Sequence, residues 1–222
     1  MRTAARVVGV ATLPALLLWS VPGQTQSKLT QDDAVFMVRE ATEYLIEDFL
    51  AGNWVSADAQ VDSIESRQND VYRAMDIAGS PPGTRDLFGY LLFRLRDYTW
   101  NRVEPVQAAL AANQMAAQLI DLDRAKVTAP QLATARMDYL AREVLLLSKL
   151  DDDHGLSARR IAELTSTWGA VAPAIVEAGE AELADRMDDR LDRLREDVPK
   201  ARLEQVADEI LDLVDELEGV VR

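Results

Sequence analysis

The chain predicts an all-α fold: a tandem antiparallel helical bundle made of two pseudo-repeated halves of about four helical segments each. Three observations carry this expectation. The first is a repeated seam. Val61, Ile64, Gln68, Val71 and Met75 follow a 3,4,3,4 spacing, and Ile161, Leu164, Trp168, Val171 and Ile175 repeat it one hundred residues later. The same offset links Val106, Leu110, Asn113, Ala117 and Ile120 to Val206, Ile210, Leu213, Leu217 and Val220. This is the spacing of a packed helix's inner face. The second is composition: Ala, Leu, Glu, Asp and Arg dominate and alternating β-branched runs are missing, which favours helix over strand. The third is a series of breakers and caps that cuts the chain into helix-length pieces.

Taken in order, the first helix spans Gln31 to Ala51, with Thr30 as N-cap and Gly52-Asn53 as the stop. Its inward positions are Val35, Val38, Thr42, Leu45 and Phe49. The Thr42 hydroxyl can be satisfied by the carbonyl one turn back. The second helix starts after Ser56 and ends at Gly79-Ser80-Pro81-Pro82-Gly83, the strongest turn in the chain. The third begins at Thr84 and is expected to bury Leu87, Leu91, Leu95 and Tyr98. Pro105 opens the fourth or kinks the third into it, since proline suits a first turn and removes an interior hydrogen bond. Thr128-Ala129-Pro130-Gln131 resembles a capping box with proline in the first turn. The fifth helix presents Met137, Leu140, Val144 and Leu147. Asp151 to Gly155 break the chain before the sixth. The seventh carries Leu183, Met187, Leu191, Leu194 and Val198, and Pro199 precedes the eighth. The expected division is 1–23 as a secretory signal peptide, 24–125 as an aromatic-rich half and 126–222 as an aliphatic half with a charged surface.

The signal is read from a basic start at Arg2 and Arg6, an apolar run from Val7 to Val21 broken by Thr12, Pro14 and Ser20, and Val21-Pro22-Gly23 as a cleavage site. The run is short of the roughly 20 residues that span a bilayer. It places the protein in the periplasm or otherwise outside the cytoplasm. Removal of Arg2 and Arg6 leaves 22 basic against 38 acidic residues, a charge of about −16. Such a chain is repelled by nucleic acid and by anionic membrane surfaces. With no cysteine, disulfides, thiolate zinc sites, iron–sulfur clusters and covalently attached haem are excluded.

Few residues point to chemistry. One histidine, no cysteine and no Gly-x-Ser-x-Gly leave no recognisable nucleophile and base, and no phosphate-cradling glycine loop is present. The expectation is therefore a non-enzymatic protein without a cofactor. Glu40, Glu43 and Glu47, like Asp208, Glu209, Asp212, Asp215 and Glu216, oppose or flank apolar stripes and read as solvated faces. Asp151, Asp152, Asp153 and His154 form the one cluster of candidate metal ligands. They motivate the alternative function of a divalent-cation or metal-handling protein, although the run lacks the spacing of a calcium loop.

The leading expectation rests on asymmetry. Of twelve aromatic residues after the signal, ten lie in the first half and only Tyr139 and Trp168 in the second. Tyr90, Phe93 and Trp100 do not fit the inward stripe of the third helix, so they face a second neighbour, a partner or water. Gln68 and Asn113 occupy seam positions, where an amide either fixes helix register or faces a ligand. Trp54, Gln68, Tyr90, Phe93, Trp100 and Asn113 are thus the candidate residues of a binding or adaptor module, whose first half recognises a protein partner or small ligand.

Overall fold

The computed structural model describes residues 31–123, 126–151, 155–195 and 199–221. Among these it contains eight α-helices, one 3-10 turn and no strand. The helices are α1 (Gln31–Ala51), α2 (Trp54–Ile77), α3 (Thr84–Asn101), α4 (Pro105–Ile120), α5 (Ala129–Ser148), α6 (Leu156–Glu177), α7 (Ala181–Arg195) and α8 (Lys200–Val220). The signal segment 1–23, Thr30, Asp152, Asp153, His154 and Val198 lie outside the described residues.

Two closed rings organise the packing. Helix α1 packs on α2 and α4, and α3 packs on the same two; α5 packs on α6 and α8, and α7 on the same two. The α4–α5 contact joins the rings. Each ring surrounds its own apolar core, the arrangement that short connections impose on neighbouring helices. Helix α5 serves both: Met137, Leu140 and Ala141 enter the second core, whereas Leu146 and Leu147 enter the first.

The inward stripes of α1 and α5 follow the expected phase. Val35, Val38, Thr42, Leu45 and Phe49 are all buried, as are Met137, Leu140, Val144 and Leu147. The Thr42 hydroxyl donates to the Arg39 carbonyl at 2.6 Å. The capping box at α5 is complete: the Thr128 N–H donates to Gln131 Oε1 at 2.7 Å, and the Gln131 N–H donates to Thr128 Oγ1 at 3.4 Å. Pro105 is the first residue of α4, after Arg102 and Glu104 in left-handed conformations, so α3 and α4 are separate helices. No helix among the described residues is long and apolar enough to cross a membrane.

Two expectations are corrected. Helix α2 begins at Trp54 rather than after Ser56, because the chain reverses within Gly52-Asn53 and lays the Trp54 ring on Phe49, centroids 5.6 Å apart. Leu87 is not in the core but 42 % exposed, and Phe88 is buried in its place. Helix α3 touches both α2 and α4, so two overlapping stripes compete for the inside. The larger Phe88 side chain takes the core position, edge-on to Tyr72 at 6.0 Å, where its area contributes more.

Candidate functional site

With Phe88, Leu91, Leu92, Leu95, Tyr98 and Thr99 turned inward, the opposite face of α3 holds Asp86, Tyr90, Phe93, Asp97 and Trp100, all exposed. Tyr90 is 54 %, Phe93 67 % and Trp100 73 % exposed. Positions 90, 93, 97 and 100 follow a 3,4,3 spacing, so they form one line along the helix. Three of the six candidate binding residues therefore converge, and on a helix face that the rest of the described chain leaves uncovered.

Arginines hold two of these rings. Arg94 Cζ lies 4.9 Å from the Tyr98 ring centroid and 6.0 Å from that of Tyr90, and Arg94 Nη1 donates to the Tyr90 hydroxyl at 3.1 Å. That hydrogen bond is the main cause of a guanidinium pKa above the ordinary arginine value. Arg96 Cζ lies 5.9 Å from the Trp100 ring. Arg96 is itself fixed by α2: its Nη1 is 2.5 Å from Asp58, its Nη2 is 2.8 Å from Glu65 Oε2 and also bonds Asp62, and its side chain is only 13 % exposed. Hydrogen bonding, first to Glu65, raises its pKa as well. Each such ring contact contributes about 0.5–1 kcal/mol at an exposed site. The larger consequence is that solvent-facing rings are held in place before anything binds, which reduces the ordering cost of association.

At Asp86 the face runs into an open hollow of about 610 Å³ under the α2–α3 turn, lined by Tyr72, Pro81, Pro82, Arg85, Asp86 and Gly89 among others. Gln68 belongs here. It is half-buried and its Nε2 donates to the Tyr72 hydroxyl at 2.6 Å. Arg85 stacks over Tyr72 at 4.5 Å and pairs with Asp76 at 3.3 Å. A glycine inside a helix costs about 1 kcal/mol relative to alanine, and its reason at position 89 is room: a Cβ there would stand 2.7 Å from the Tyr72 hydroxyl.

The other candidates lie elsewhere. Trp54 is half-buried against Phe49, outside the exposed line. Asn113 is fully buried on α4; its Nδ2 donates to the Tyr139 carbonyl at 3.1 Å, while its Oδ1 accepts no hydrogen bond from the protein. It lies at a cleft of about 270 Å³ between the rings, with Arg39, Glu43, Asp138, Arg142 and Glu218. Burial pushes the Asp138 carboxyl above its usual range, against the pull of Arg142 at 2.9 Å. Asp151 is exposed, and its backbone carbonyl accepts from Lys200 Nζ at 2.8 Å. Among the described residues no three His, Cys, Asp or Glu side chains are grouped to hold a metal ion.

A charge network between α5 and α6, centred on a buried glutamate, has no counterpart in the expected site residues. Glu143 is 1 % exposed, and its Oε2 lies 2.8 Å from Arg160 Nε, off the line of a good hydrogen bond. Arg160 also meets Glu163 at 2.7 Å. The Tyr139 phenol is pushed above its ordinary range, by burial first and then by the charge of Glu143. The sequence does carry a signal for Glu143: it stands three residues after Leu140 and four before Leu147, on the seam. In comparisons with known proteins, the chain matches no family, no curated protein and no solved structure.

Proposed function

We propose that this protein is an exported, non-enzymatic binding module that recognises a protein partner through the outer face of α3. The observation that carries this reading is the line of Tyr90, Phe93 and Trp100, exposed together, with Tyr90 held by Arg94 and Trp100 by Arg96. Aromatic residues supply much of the energy of compact interfaces. Large apolar side chains aligned on one face of a water-soluble domain are a marker of interaction surfaces.

Export is supported by the basic start and short apolar run at the N-terminus. The pseudo-repeat of the two halves is supported by a shared helix ending. After α2 the Ser80 N–H donates to the Met75 carbonyl at 3.0 Å and the Gly79 N–H to Asp76 at 3.3 Å. After α6, one hundred residues on, the Glu180 N–H donates to Ile175 at 3.1 Å and the Gly179 N–H to Val176 at 3.0 Å. Both are Schellman endings.

The test compares the full-length chain with its Tyr90→Ser/Phe93→Ser/Trp100→Ser variant as baits in extract of the native host. The wild type is expected to retain a partner that the variant loses, with the two unfolding at the same denaturant midpoint within about 0.5 kcal/mol, the usual limit for surface substitutions. Identical recovery by both baits refutes the assignment of this face.

A further inference from the structure

Building on the proposed role of the α3 face, we infer that its occupant is a basic amphipathic helix of another protein. The spacing identifies the shape. Positions 90, 93, 97 and 100 have the periodicity of a helix–helix seam, and a helix laid along them meets each ring with residues at its own three- and four-residue steps. From Asp86 to Trp100 the face is about 21 Å long at 1.5 Å per residue, which calls for about four turns of partner.

The charge identifies the chemistry. Around the rings lie the carboxylates of Asp58, Asp62, Glu65, Asp86 and Asp97 against the guanidiniums of Arg94 and Arg96. Arg96 alone is shared among three of the carboxylates, whereas Arg94 rests on two tyrosine rings. The excess is negative, on a chain whose formal charge is −14. A second copy would bring these carboxylates against their own kind, and an anionic membrane surface or nucleic acid is repelled. A helix flanked by lysine or arginine is attracted.

Asp97 adds a register. It interrupts the aromatic line, is exposed, and accepts from Asn101 Nδ2 at 2.9 Å. A partner that places a lysine or arginine opposite Asp97 docks in one alignment, and a helix shifted by a turn leaves a charge facing a ring. Single polar positions fix helix pairing in this way.

The experiment is a selection from a displayed library of 21-residue helices with apolar residues at seam spacing. The flanking positions and one seam position are randomised, and the full-length chain is the target. Clones that also bind the Tyr90→Ser/Phe93→Ser/Trp100→Ser variant are removed. The expected survivors carry lysine or arginine at the flanks and at the free seam position. They bind at least tenfold more weakly to Asp97→Lys, and more weakly as salt rises. Face-dependent helices that are acidic, or show no charge bias, overturn the inference while leaving recognition by α3 in place. A selection that yields no face-dependent helix also overturns it, whereas the host-extract comparison judges recognition independently.

Discussion

Phe88→Ala is expected to destabilise the protein by about 3–5 kcal/mol, the range for truncating a buried phenylalanine, whereas Phe93→Ala stays within about 0.5 kcal/mol of the wild type. The two residues share a helix and a side-chain type and differ in what they touch. Phe88 is fully buried, edge-on to Tyr72, and part of the first core; its removal leaves a cavity that the α2–α3–α4 packing closes only in part. Phe93 is 67 % exposed and its truncation uncovers little. Urea denaturation of both variants measures the contrast. A cost above about 2 kcal/mol for Phe93→Ala would mean that the outer face of α3 belongs to the fold and is not held for a partner.

Arg160→Ala is expected to cost about 1–3 kcal/mol, because it leaves the buried Glu143 carboxylate without its cation, while Arg160 itself is partly exposed. Glu143 is 1 % exposed and its nearest cation is Arg160. Tyr139 offers it a hydroxyl but no charge. Adding Glu143→Leu to Arg160→Ala should recover most of the loss, since apolar replacement of a buried pair is often neutral or better. Denaturation of wild type, single and double variants closes the cycle. A single variant costing less than about 1 kcal/mol, as exposed ion pairs do, would show that the pair is not effectively buried.

Much of this architecture was legible from periodicity and caps. The stripe from Val35 to Phe49, the Thr128–Gln131 capping box and the stop at Gly52-Asn53 depend on neighbours within one or two turns, so the sequence states them directly. What periodicity does not state is which of two overlapping stripes is deeper when a helix touches two neighbours. Leu87 and Phe88 are adjacent in the chain, and the packing of α3 between α2 and α4 decides which of them is buried. The same reason hid the double role of α5, whose far end feeds the first core through Leu146 and Leu147.

The candidate site was legible in part. That Tyr90, Phe93 and Trp100 could not all join the inward stripe followed from the wheel, and the structure places all three in solvent. The brace of Arg96 with Asp58, Asp62 and Glu65 spans more than thirty residues of sequence, and no local pattern pairs those charges. From the seam, Asn113 either fixes register or faces a ligand. The structure gives it one hydrogen bond to the Tyr139 carbonyl and leaves its other end unpartnered. Asn113 and Trp54 looked like companions of the exposed rings only because the sequence does not show on which side of a bundle each seam falls, whereas Gln68 bonds Tyr72 at the hollow beside the face.

The most direct measurement of the α3 assignment is site-specific photocrosslinking in the native host. A photoreactive phenylalanine analogue is placed at Phe93 and, as control, at Val176 on α6, which is also exposed at 51 %. A discrete adduct to one partner protein from position 93, and none from position 176, is the predicted result. The same adducts from both positions, or none from position 93 while the protein remains folded, would contradict it.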